Sequence, residues 1–202
     1  PAGFDYDAWV GPATMIPYRT NRVHNRWTWW YHFGTGDMGN DGVHDIDYTR
    51  WGLGVDTHPT RIVAVGGKYH FDDDMEFPDT QQVTFEYRGD GKTGSQRILI
   101  YEQRLWSTNY PHNTDSGAEF YGTKGQMFLS RRGKLEILSD RNQPVPVSAK
   151  PEPQNDAAHV RNFCDAIRLG TRLNADALTG HLSTSLCHLG NIATRLGRSL
   201  VF

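Results

Sequence analysis

Gln82-Val-Thr-Phe-Glu-Tyr-Arg-Gly-Asp-Gly-Lys-Thr-Gly-Ser-Gln-Arg-Ile-Leu-Ile-Tyr-Glu102 is the stretch from which the fold can be read. Val83, Phe85 and Tyr87 alternate with Thr84 and Glu86, and alternation resumes from Arg97 beyond a glycine-rich connection. A period of two puts one set of side chains on each face of a pleated strand. The pattern therefore predicts antiparallel strands over 82–87 and 97–102, joined through Gly89-Asp-Gly91. Working outward, strands are expected over 61–65 leading into 68–71, and over 118–121, 126–129 and 134–138. Arg132-Gly-Lys134 supplies the turn chemistry between the last two.

The ends of the chain carry helical signals instead. A short helix over 5–10 is stopped by Gly11-Pro12. A longer one is predicted over 39–53. The run 142–153, with Pro144, Pro146, Pro151 and Pro153, reads as an extended linker. Beyond it, Asn155 or Asp156 can cap a helix whose Val160, Phe163/Cys164 and Ile167 recur at helical spacing until Gly170. A final helix carries Leu178, Leu182, Ser185, Leu189, Ile192 and Leu196 before Gly197. Hairpins followed by segregated helices indicate an α+β fold: a large, mainly antiparallel open sheet with helices packed on one face. Such a sheet must also cover its helix-free face, which points to a homo-oligomeric contact there.

Composition narrows the function classes. The 202 residues carry 21 basic and 23 acidic side chains, a net charge of −2, so no overall field recruits nucleic acid or an anionic membrane. No apolar run approaches the ~18 residues that span a bilayer. Two cysteines, Cys164 and Cys187, exclude a disulfide framework and any CxxC zinc module. The chain starts at Pro1 without an initiator Met and is expected to be part of a longer protein. Its compartment is unknown from these residues; the cytoplasm is the default, with export open.

The chemistry concentrates in Gly34-Thr-Gly-Asp-Met-Gly-Asn-Asp-Gly-Val-His-Asp-Ile-Asp-Tyr-Thr-Arg-Trp-Gly-Leu-Gly54. On a single helix, Val43, Ile46 and Leu53 face a core, while Asn40, His44, Asp47/Tyr48 and Trp51 align on an adjacent face. An imidazole with polar neighbours one turn to either side can move a proton near neutral pH. It can equally be a half-buried, hydrogen-bonded histidine in a capped first turn.

This stretch resembles the signature of the substrate-binding domain of the Gfo/Idh/MocA oxidoreductases (glucose–fructose oxidoreductase, inositol dehydrogenase and relatives), in which a Gly-Gly-Gly-x-x-x-Asp-x-Gly-x-His-x-x-Asp-x-x-x-Trp-x-x-Gly pattern opens a long helix. Gly34, Gly36, Gly42, His44, Asp47, Trp51 and Gly54 match it. Asp5-Tyr-Asp-Ala-Trp-Val-Gly-Pro-Ala13, Phe120-Tyr-Gly-Thr-Lys-Gly125, Asn162-Phe-Cys-Asp-Ala-Ile-Arg168 and His188-Leu-Gly-Asn-Ile-Ala193 resemble further parts of the predicted-dehydrogenase subgroup, in order. The resemblance implies that residues 1–202 are a C-terminal substrate-binding and oligomerisation domain. It implies NAD or NADP as cofactor of the full-length protein, a sugar, cyclitol or related polyol as substrate, and His44 as the proton-transfer residue. The family's N-terminal Rossmann half, with its GxGxxG turn after a strand and its Glu-Lys-Pro lysine, is absent from this chain. The chain by itself is therefore expected to bind no dinucleotide and to be inactive. A second departure is Asn40, which stands where the family usually has Asp.

Other residues carry weaker signals. Arg22, His24, Asn25, Arg26, Trp27, Trp29, Trp30 and Tyr31 mix flat rings with donors, which suits a sugar but also suits loop packing or a subunit contact. Position within the family favours Trp27 and Tyr31 near the pocket; Arg22, and Arg104 with Asn109 after the 98–102 strand, are further candidate substrate contacts. His181 and His188 are about 10.5 Å apart along one helix, too far for one ion, so no metal site is expected. Asp72-Asp-Asp74 reads as a solvated turn. Two rival functions remain beside the dehydrogenase reading: an NAD-dependent glycoside-cleaving enzyme of the same fold, and a non-catalytic sugar-binding or oligomerisation module.

Overall fold

The structure is a computed structural model that describes residues 3–150 and 152–202. The chain is α+β; its described residues form five α-helices and eight strands, paired as two open, antiparallel four-stranded sheets. It divides into two compact units, one of residues 1–43, 59–107 and 185–202, the other of 44–58 and 108–184.

The first unit holds α1 (Tyr6–Val10), α2 (Gly36–Asn40) and a sheet of β1 (Arg61–Gly67), β2 (Thr80–Tyr87) and β3 (Arg97–Arg104). These strands pair in the order β3-β2-β1-β8, where β8 (Leu200–Val201) is the end of the chain. The alternation in the sequence is realised in the burial. Ile62, Val83, Phe85, Tyr87 and Leu99 are buried on one face, with Leu186, Cys187 and Ala193 of the last helix in the same core. Gln81, also inward, donates from Nε2 to Thr194 Oγ1 of that helix at 2.7 Å. Among the described residues of this unit, no helix buries the opposite face. Val63, Thr84 and Ile100 form one row across it, and Val63, Val65, Ile98 and Ile100 are exposed. Helices thus cover one face of this sheet, as its composition requires.

The second unit holds β4 (Ala118–Gly122), β5 (Gly125–Leu129), β6 (Leu135–Ser139) and β7 (Gln143–Pro144), paired in chain order, with α4 (Asp156–Leu169). Glu119, Phe128 and Glu136 make one row. His112 stacks on Phe128 at 3.9 Å between ring centroids, its Nε2 2.7 Å from Glu119. Two longer helices, α3 (Gly42–Leu53) and α5 (Ala177–Leu196), have residues in both units.

Several boundaries follow local chemistry. Asp5 accepts from the Ala8 N–H and starts α1, Asn155 accepts from Ala158 and starts α4, and Gly170 ends α4 in the left-handed region at φ +67°. Four expectations are revised. The strands pair as two sheets where one large sheet was expected. The stretch 68–71 is not a strand: the buried Asp79 carboxylate accepts the backbone N–H groups of Tyr69, His70 and Phe71, which turns the chain off the ladder. The helix expected over 39–53 is two helices separated at Asp41, with α3 beginning at Gly42. A side chain at 42 would meet the Tyr101 ring at 2.6–2.8 Å, so the close approach itself demands glycine. Finally, the apolar stripe of α4 is not core. Val160, Phe163 and Ile167 are all exposed. Where described, the run 142–153 has no regular structure beyond the end of a 3₁₀ turn at Asp140–Asn142 and the short β7; Pro151 lies outside the described residues.

Candidate functional site

The motif helix α3 carries two faces. Ile46 and Arg50 point inward, at 2% and 3% exposure, while His44 is exposed, Asp47 and Tyr48 partly so, and Trp51 stands 60% exposed. His44, Asp47 and Trp51 fall at i, i+3 and i+7, one stripe along the helix surface with neighbouring Cβ atoms about 5–6 Å apart. An imidazole, a carboxylate and an indole thus share a solvent-facing strip.

Asp47 is held from below. Ser183 of α5, itself 2% exposed, donates its hydroxyl to Asp47 Oδ1 at 2.5 Å. The Ser183 Oγ in turn accepts from Arg50 Nη1 at 2.8 Å. Arg50 reaches the Thr179 carbonyl with Nη1 and the Val55 carbonyl with Nη2. Tyr48, beside them, donates to Asp45 Oδ1 at 2.6 Å. Burial first, and that hydrogen bond second, hold its phenol above the ordinary range, so Tyr48 stays protonated and is no base at physiological pH.

The other candidate substrate contacts, Asn40, Trp27, Tyr31, Arg22 and Arg104, belong to the first unit. Asn40 is exposed at the end of α2. Trp27 is exposed in a short 3₁₀ turn, Trp27–Trp29. Tyr31 is half-buried, with the Arg195 guanidinium 4.1 Å above its ring and its N–H donated to Glu76. Burial outweighs the pull of Arg195 and raises the Tyr31 phenol above its usual value. Arg22 is buried, stacked on Trp30 and donating to the Tyr6 hydroxyl and the Pro17 carbonyl, so it braces the N-terminal segment. Arg104 pairs with Glu102 and lies on the helix-free face with Ile98 and Ile100.

The spacing Gly34-x-Gly36-x-x-Gly39 matches a dinucleotide fingerprint in letters only. It follows a turn, not a strand. A Cβ at Gly34 would meet the Thr28 backbone at 2.4 Å, at Gly36 the Phe77 ring, and at Gly39 the Thr35 side chain. Each glycine is needed by packing inside the protein, and these residues do not fit a dinucleotide. Ser183 has no local signal in the sequence that marks it as a partner of Asp47. The signal for Arg50 is its place in the apolar stripe Val43, Ile46, Leu53, where a cation requires a buried partner.

All 202 residues match the family described as "Oxidoreductase family, C-terminal alpha/beta domain", the Gfo/Idh/MocA group. The chain belongs to this family. Among solved Gfo/Idh/MocA-like folds, aldose-aldose oxidoreductase from Caulobacter crescentus, complexed with glycerol, superposes with a TM-score of 0.64 at 15% identity, over 88% of this chain and 51% of that one. The WlbA dehydrogenase from Bordetella pertussis, in complex with NADH and UDP-GlcNAcA, gives 0.55 at 14% identity over 82% and 44%. UDP-N-acetylglucosamine 3-dehydrogenase from Acidithiobacillus ferrooxidans gives 0.51 at 16% over 76% and 45%. The chain spans about half the length of these relatives, and at such identities the likeness is one of fold. A search of curated protein sequences finds no match. No helix among the described residues is long and apolar enough to cross a membrane.

Proposed function

We propose that this Gfo/Idh/MocA chain is the substrate-binding half of an NAD(P)-dependent oxidoreductase acting on a sugar, cyclitol or related polyol, with His44 as the proton-transfer residue. The observation that carries the reading is the His44–Asp47–Trp51 stripe on α3, in which His44 and Trp51 are exposed and Asp47 partly so. Imidazole is the side chain suited to accept a hydroxyl proton near neutral pH, and the neighbouring carboxylate favours the cation that forms. An exposed indole face suits the C–H face of a sugar ring. Asn40, Trp27 and Tyr31, in the first unit, offer an amide and two rings as candidate substrate contacts of their own; Arg22 is taken up by Trp30, Tyr6 and Pro17. Arg104, on the helix-free face, fits a contact between copies better than a substrate contact.

The relatives' sugar and nucleotide-sugar substrates, and the NADH held by one of them, support this reading. The dinucleotide is assigned to a part of the protein other than these residues, whose own role is to orient substrate and move its proton. In the full-length enzyme, His44→Ala should lower kcat by roughly 10²–10⁴-fold. The dissociation constant for NAD(P) should stay unchanged, as measured by nucleotide fluorescence. Normal turnover in a variant that melts at a much lower temperature would overturn the assignment.

A further inference from the structure

We propose that Ser183 is a positioning residue for the proposed site, fixing the Asp47 carboxylate beside His44 through a relay that begins at the buried Arg50. The inference deepens the reading of His44 and rests on it.

The direction of the relay follows from the chemistry of its members. A guanidinium only donates and an ionised carboxylate only accepts. Arg50 Nη1 donates to Ser183 Oγ at 2.8 Å, so the single hydroxyl proton of Ser183 is left for Asp47 Oδ1. The hydroxyl has one orientation that satisfies both neighbours. Arg50 and Ser183 are 3% and 2% exposed, so water does not compete for these bonds. Arg50 is itself fixed by the Thr179 and Val55 carbonyls. The relay thus joins the buried side of α3 to the carboxylate at its surface. Asp47 Oδ1 is tied inward, which sets the rotamer in which the carboxylate stands one turn from His44.

A structural reading of the same bonds is that Ser183 merely ties α3 to α5. The two readings differ in what depends on Asp47. If Ser183 acts through Asp47, its removal matters only while the carboxylate is present; if it is a tie between helices, its removal costs the same in either background.

The test uses full-length enzyme with four variants: Ser183→Ala, Ser183→Cys, Ser183→Thr and Asp47→Asn, the first three also combined with the last. Turnover is measured on D-glucose, D-xylose, myo-inositol and UDP-N-acetylglucosamine. Ser183→Ala should lower kcat by about 10- to 100-fold with KM moved less than about 2-fold. Ser183→Thr, which keeps the hydroxyl, should recover most of it. In the Asp47→Asn background Ser183→Ala should cost nothing further. An equal loss in both backgrounds, or no loss in either, overturns the proposal. Ser183→Cys preserves the volume if the alanine variant fails to fold, and is read in the same cycle. A substrate-free readout separates this inference from the functional reading. The ring-nitrogen NMR signals of His44 should shift on Ser183→Cys, but not when Asp47 is Asn. If no sugar is turned over while these signals remain coupled, the functional reading fails and the positioning role stands; uncoupled signals overturn the positioning role.

Discussion

Asp79 shows how one residue redirects a backbone. Its carboxylate is fully out of solvent and accepts from three consecutive N–H groups and from the Thr80 hydroxyl. Burial acts to raise its pKa, but the bonds from Phe71, His70, Thr80 and Tyr69 prevail and hold it at about 2. A carboxyl with a depressed folded pKa stabilises the fold above its unfolded value of 3.8, and that contribution is lost as pH falls toward 2. Asp79→Asn should cost about 1.5–3 kcal/mol at neutral pH. The difference from wild type should shrink between pH 4 and pH 2 in acid-unfolding curves, and a constant difference would refute the account. Cys187 gives a second residue-scale expectation. Burial pushes its thiol up to about 12, whereas Cys164 is partly exposed. In native protein at pH 8 a thiol reagent should label Cys164 and spare Cys187 until denaturant is added, as mass mapping would show.

At the scale of elements, what could be read was what is local. Asn155 and Gly170 bracket α4 because a cap and a left-handed stop act within one turn of their own position. The alternation at 82–87 and 97–102 survives intact in β2 and β3 because each strand buries one of its faces. What was not legible is set by partners distant in sequence. The 68–71 stretch has strand-like residues, but its N–H groups go to Asp79. Arg50 and Ser183 meet across 133 positions, so neither declares itself in a window of the sequence. The β4–β5 hairpin combines both kinds of signal. Gly122 and Gly125 pair across a two-residue turn, and Gly125 has φ +152° with the Leu138 carbonyl 2.2 Å from where a Cβ would sit. Because that neighbour is backbone, no rotamer change relieves the clash. Gly125→Ala should therefore destabilise the second unit by about 2–3 kcal/mol in chemical denaturation. Gly54→Ala, with open space around it, should be governed only by its backbone conformation and cost less.

The whole molecule poses the question of the helix-free sheet face. Its rows run Arg61–Glu86–Ile98, Val63–Thr84–Ile100 and Val65–Gln82–Glu102. Ile98 and Ile100 are both 59% exposed, and Val65 62%. Apolar side chains grouped on a regular sheet, rimmed by Arg61, Glu86, Glu102 and Arg104, have the make-up of an interface centre with a charged edge. Opposite charges on one face also let a second copy meet it about a two-fold axis, basic groups against acidic ones. In full-length protein at micromolar concentration, sedimentation should therefore give an oligomer. Replacing both Ile98 and Ile100 with Glu should dissociate it while leaving the circular dichroism spectrum intact, since neither side chain belongs to the core. Both copies lose the pair, so four isoleucines worth about 1.5 kcal/mol each correspond to a Kd weakened on the order of 10⁴-fold, before counting repulsion between the new carboxylates. A wild-type monomer, or an oligomer indifferent to both substitutions, would show that this face is not the contact. The Ser183 relay and the His44 stripe lie in the other unit, so turnover per subunit should be retained on dissociation.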